Sequence, residues 1–136
     1  MDEAQQFIDE MAAKRGYVLP YHKMMAKHDF AVLKAANNLV NAAYLDKRTL
    51  DPKVKELLFV TSLASMRATK GHIQAHIRVG LDLGLTPQEI LEALEIVLPE
   101  AGVVAFQSAF EAWAEVVGAE GVEPTIKVHG SGEKSA

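Results

Sequence analysis

His72 and His76 stand four residues apart in the stretch "RATKGHIQAH", residues 67–76, within a long run that otherwise reads as apolar helix. Side chains one helical turn apart share a face, with Cβ atoms roughly 6 Å apart. That spacing lets two imidazoles chelate a metal, lets one orient the other for acid/base work, or simply fills an interhelical position with a locally satisfied pair. Glu56 is the first carboxylate upstream that could join them. In one unbroken helix the separation from Glu56 to His76 would be about 30 Å. A shared site therefore requires a tight reversal, which Gly71 has the backbone freedom to supply, or a neighbouring chain. Arg67 can serve a helix C-terminal dipole or hold a substrate carboxylate through a two-pronged contact. The set Glu56, His72 and His76 also fits a facial arrangement for zinc or iron, which stands as the alternative to a site with no metal.

The elements that must position these groups are helical. Apolar residues Phe7, Ile8, Met11 and Ala12 share one face of a first helix, which Gly16 ends. "VLPYHKMMAKH" reads as a short connector with a helical turn after Pro20; its His22 and His28, flanking Met24 and Met25, could line a pocket entrance or belong to a covering segment. Asp29 is a plausible N-cap for a stripe running from Phe30 to Tyr44. Asp51-Pro52 is a second start signal, followed by a helix apolar on almost all sides, which belongs at the centre or at a subunit interface. The segment after Gly71 continues as helix to Gly84, a suitable C-terminal cap. Thr86 and Glu89, with Pro87 between them, form a capping box. Val103, Phe106, Phe110, Trp113 and Val117 then make a core or interface stripe. No period-two strand pattern stands out. The expected fold class is an all-α, single-domain helical bundle over residues 1–118 with a central helix–turn–helix, followed by a mobile tail over 119–136.

Composition narrows the functions. The 136 residues suffice for one core without staples. A formal net charge of −4 with no concentrated basic face argues against nucleic acid as a partner. No apolar run reaches membrane-spanning length, and the acidic, amphipathic start "DEAQQFIDEM" is unlike a secretory signal, so the expected location is cytoplasmic, with no membrane partner. There are no cysteines, which excludes disulfides, thiolate metal sites and cysteine nucleophiles.

Residues 50–102, "LDPKVKELLFVTSLASMRATKGHIQAHIRVGLDLGLTPQEILEALEIVLPEAG", resemble the carboxymuconolactone decarboxylase and alkylhydroperoxidase-D-like family. The likeness rests on "KEL" opening the central helix, a histidine after the turn, a glycine eight residues beyond it, and "TPQEILEAL". The resemblance implies a trimer or hexamer. In the family's peroxidase branch, the two cysteines would fall on Thr69 and His72, with His76 and Glu56 as proton-relay partners. With no thiol here, thiol peroxidase activity is not expected. The decarboxylase branch needs no cysteine, and the resemblance to it implies a cofactor-free lyase or acid/base catalyst acting on a small carboxylated or lactone substrate. Arg67 would then hold the substrate carboxylate. His72 or His76 would reprotonate carbon, and Glu56 would set the imidazole tautomer. A non-catalytic binding or scaffold member of the family is the alternative.

Overall fold

A computed structural model describes residues 2–119. The expected tail lies outside the described residues from position 120 onward. Asp2 caps α1 (Glu3–Arg15) by accepting the Gln5 N–H at 2.7 Å, and Gly16 closes that helix in the left-handed region at φ 86°. The segment read as a connector is a full helix, α2 (Pro20–His28). Pro20 begins it where a missing N–H costs nothing, and the Leu19 N–H turns back onto His22 Nδ1 at 3.0 Å. Asp29 caps α3 (Phe30–Val40), which runs into a single π-helical turn over Asn41–Leu45. Then come α4 (Pro52–Ser65), α5 (Lys70–Asp82), α6 (Pro87–Glu95), α7 (Val97–Ala101) and α8 (Val103–Val117). The fold is all-α, as expected, and no strand occurs among the described residues.

Asp51 starts α4 by accepting the Lys53 N–H at 2.8 Å, and Thr86 and Glu89 form the reciprocal capping box of α6. The central helix–turn–helix is α4 and α5, but Gly71 does not make the reversal. The chain turns at Arg67, whose φ of 56° is the only positive value at a non-glycine residue among those described. The Ala68 N–H reaches Leu63 O and the Arg67 N–H reaches Ala64 O, both at 3.0 Å. This is a Schellman closure with arginine where glycine is usual. Gly71 instead lies in the first turn of α5, where a Cβ would meet nothing within 4 Å beyond its own helix backbone. Gly84 ends α5 with the same closure, in the expected place.

Two apolar clusters form. Val60, Leu63, Ala64, Ile73, Ile77, Ile90, Leu94 and Val97 fill the larger one, between α4, α5, α6, α7 and α8. Ile8, Met11, Ala26 and Leu33 fill the smaller, between α1, α2 and α3. The aromatic stripe expected to bury α8 does so only in part. Its fully buried face is small, made of Ala105, Ala109 and Ala112, which lets α8 approach its neighbours closely. Phe106, Phe110 and Trp113 stack along the adjoining face, and Val103 stays exposed.

Candidate active site

The α4–α5 hairpin brings Glu56, near the start of α4, alongside His76, in the second turn of α5. Both side chains are buried, at 2% and 0% exposure, and His76 Nδ1 lies 2.8 Å from Glu56 Oε2. A carboxylate at that distance accepts, so His76 carries its proton on Nδ1 and leaves Nε2 as an acceptor. The Tyr17 hydroxyl sits 3.0 Å from Nε2 and donates to it. The Tyr44 hydroxyl donates to the second Glu56 oxygen. The result is a continuous chain, Tyr44–Glu56–His76–Tyr17, drawn from the π-helical turn, α4, α5 and the segment after α1. Phe59 lies flat against the His76 ring, 4.2 Å between centroids and 7° between planes, which fixes the imidazole plane.

Local sequence explains each placement. Asp51-Pro52 sets where α4 starts, and hence the depth of Glu56. Thr69 caps α5 by accepting the His72 N–H at 3.4 Å, so that residue does structural work at the helix start. The π-helical turn, closed by an Asp46 N–H to Asn41 O bond of 2.8 Å, carries Tyr44 to Glu56. Such single wide turns recur at functional sites.

His72 is half-buried, with its ring 5.5 Å from that of His76. Burial, and then the neighbouring His76, push its pKa below the ordinary histidine value. Arg67 is not brought to this cluster. It is exposed in the turn, eleven residues beyond Glu56 in sequence and so about 16 Å away along the helix direction. Among the described residues no three His, Asp or Glu side chains form a metal-holding group, and both His76 nitrogens are engaged by protein.

A second polar group adjoins the first. The Arg15 guanidinium, 8% exposed, donates through Nη2 to Asn37 Oδ1 at 2.6 Å and stands 3.4 Å from His22 Nε2. Burial, reinforced by Arg15 and His72, lowers the His22 pKa from its ordinary 6.5 to about 4. Burial raises the Tyr17 pKa against the opposing pull of Arg15. His22 therefore stays neutral in the folded protein while the unfolded chain takes up its proton. The unfolded state binds more protons between about pH 6.5 and about pH 4, so stability falls as pH drops through that window and levels off below it. His22→Gln is expected to flatten this decline, read as the urea midpoint against pH.

A cavity of about 530 Å³ opens beside α4, within the size range of small-molecule sites. Its buried lining residues are Arg15, Tyr44 and Glu56, and the rest of the wall carries Lys47, Arg48 and Lys55 beside Asp46 and Asp51. Lys55 also ties the wall together, with Nζ 2.8 Å from Tyr44 O and 3.1 Å from Asp46 O. His72 and His76 do not line the cavity; His76 lies behind Glu56.

Arg15, Tyr17 and Tyr44 were not among the site residues expected from sequence. Tyr44 sits on an apolar helical stripe and Arg15 looks like an ordinary last-turn cation, so spacing gives no signal for either. Tyr17 is 59 residues from the histidine it contacts.

No curated protein and no solved structure matches the chain. Residues 31–115 do match a family model, and the match extends on both sides of the 50–102 frame in which the likeness was read. It spans α4, α5 and the π-helical turn, and thus includes Tyr44, Glu56, His72 and His76 but not Arg15 or Tyr17. With more than half its length matched, the chain belongs to the carboxymuconolactone decarboxylase family.

Proposed function

We propose that the protein is a cofactor-free acid/base catalyst of the lyase type, acting on a small carboxylated or lactone substrate. The observation that carries this reading is a buried Glu56 carboxylate that bridges Tyr44 and His76 while forming part of the wall of a cavity lined by residues of both charges. Decarboxylation breaks the bond between the carboxylate and its carbon. The electron pair moves into a conjugated carbonyl, carbon dioxide leaves, and the carbon takes a proton. In this scheme the Tyr44 hydroxyl, which reaches the cavity, supplies that proton, the Glu56 carboxylate positions the hydroxyl, and the proton consumed is restored to Tyr44 from water. His76 acts from behind by holding Glu56 and sharing its proton.

The sequence-based roles shift accordingly. His76 becomes a positioning partner of Glu56, and His72 a neutral neighbour of the pair. Arg15, Lys47, Arg48 and Lys55 outnumber Asp46, Asp51 and Glu56 in the lining, and that small positive excess favours an anionic substrate. Self-association is part of the same proposal: Leu58, Ile96, Val103 and Val104 are each more than half exposed and offer apolar area for contact between copies.

The test is release of carbon dioxide from a panel of small unsaturated lactone acids and ring carboxylates. Wild type is expected to turn over at least one of them, and Tyr44→Phe to do so about 10²-fold more slowly. Peroxide consumption driven by a dithiol is expected to be absent. A wild type inert to the whole panel would remove the lyase reading.

A further inference from the structure

Arg15 is a charged side chain without a charged partner. It is more than nine-tenths buried, and among the described residues no carboxylate lies within ion-pair distance of it. Arginine is almost never buried to this degree unless paired. Its neighbours are an amide, an imidazole and a phenol: Asn37, His22 and Tyr17. The Nε–H is buried with no hydrogen-bond acceptor. The contact with His22 is also poor. The Leu19 N–H donates to His22 Nδ1, so the neutral ring keeps its proton on Nε2, and that proton faces the Nη1 donor across 3.4 Å. The Nε donor of the guanidinium thus lacks an acceptor among the described residues and Nη1 meets a poor one in His22, and the residue lines the cavity shared with Glu56 and Tyr44.

We infer that Arg15 is the anchor for a carboxylate of the substrate, which completes its hydrogen bonding and its charge. A planar guanidinium edge with free donors matches a carboxylate with two oxygens. Glu56 carries the same charge as that carboxylate, and it is already held by Tyr44 and His76. The ligand therefore binds with its carboxylate at Arg15 and its reacting carbon toward Tyr44 and Glu56. The substrate class is a small organic acid whose anchoring carboxylate, held at Arg15, is distinct from the carboxylate lost at the reacting carbon. Arg15 takes the role that sequence assigned to Arg67. This inference rests on the acid/base reading of the same cavity, because it uses Glu56 and Tyr44 to orient the ligand.

The test is calorimetric titration of the full chain with acetate, benzoate and 2-furoate, each compared with its neutral amide. At least one acid is expected to bind saturably, and its amide at least tenfold more weakly. Asn37→Asp places a carboxylate where Arg15 now meets an amide. That variant is expected to fold with wild-type helicity, match or exceed wild-type heat stability, and bind the acid at least tenfold more weakly, since the internal counterion replaces the ligand. Arg15→Met is expected to show the same loss, and Arg15→Lys a smaller one. Failure of all three acids to bind, equal binding of acid and amide, or unchanged binding in a folded Asn37→Asp or Arg15→Met variant overturns the inference. Glu56→Gln separates the two ideas. It is expected to keep carboxylate binding while losing turnover. If turnover survives there but binding falls in Arg15→Met, the acid/base assignment fails and the anchor stands.

Discussion

Glu56→Gln is expected to lower turnover of a substrate by about 10² to 10⁴-fold, the range usual for loss of a positioned acid or base, while helical content stays at the wild-type level. The substitution is nearly isosteric, so Tyr44 and His76 keep a partner of similar shape. What disappears is the charge and one acceptor. A carboxylate accepts at both oxygens, from Tyr44 and from His76 Nδ1, whereas an amide accepts at one end and donates at the other. With the amide nitrogen toward His76, the imidazole must present a lone pair at Nδ1, and its proton moves to Nε2, toward Tyr17. With the amide oxygen toward His76, the Tyr44 hydroxyl loses its acceptor and faces a second donor. Either arrangement disables proton exchange at the cavity wall. A KM unchanged within a few-fold, beside a large fall in kcat, separates this outcome from loss of binding.

His76→Ala is expected to be the most destabilising single substitution at the site, by about 3 to 5 kcal/mol in urea unfolding at unchanged m. Two losses combine. A fully buried ring stacked on Phe59 is removed, leaving a cavity beneath it. Glu56, almost as buried, keeps its charge but loses its nearest cationic or donor partner other than Tyr44. Breaking one side of a buried pair costs far more than the intact pair contributes. Against a total stability of about 5 to 15 kcal/mol, such a loss threatens folding outright. His72→Ala, which removes a half-buried ring with no side-chain hydrogen bond among the described residues, is the contrast, with a cost below about 1 kcal/mol. Equal costs for the two histidines would contradict the idea that His76 alone is locked to Glu56.

The parts of the fold legible in sequence are those set by local chemistry. Asp51-Pro52, the Thr86–Glu89 box and Gly84 each specify a helix end through groups within a few residues, and all three stand where the pattern placed them. The reversal between α4 and α5 was misplaced for an instructive reason. Glycine permits a left-handed residue but does not require one, and the closure is made instead by Arg67 in a conformation few arginines adopt. The large residues of α8 also drew attention from its alanines. Periodicity ranks residues by hydrophobicity, while close helix packing selects small ones.

The candidate site was legible to the same extent. Glu56 and His76 lie on consecutive helices joined by a short turn, so a family-like frame sufficed to pair them. Tyr17, Tyr44 and Arg15 come from segments folded over from the N-terminal third, and their place depends on tertiary packing between two apolar clusters. Arg67 illustrates the converse: nearness in sequence to the histidines did not bring it to the cavity.

The acid/base chemistry proposed for the cavity depends on Glu56 holding His76 as a proton-sharing partner. The most direct test is the ¹⁵N chemical shift of the two His76 ring nitrogens at neutral pH, in wild type and in Glu56→Gln. Wild type is expected to show a protonated Nδ1 and an unprotonated, hydrogen-bonded Nε2, with both shifts changed strongly by the substitution. A proton on Nε2 in wild type, or shifts that ignore Glu56→Gln, would contradict that partnership.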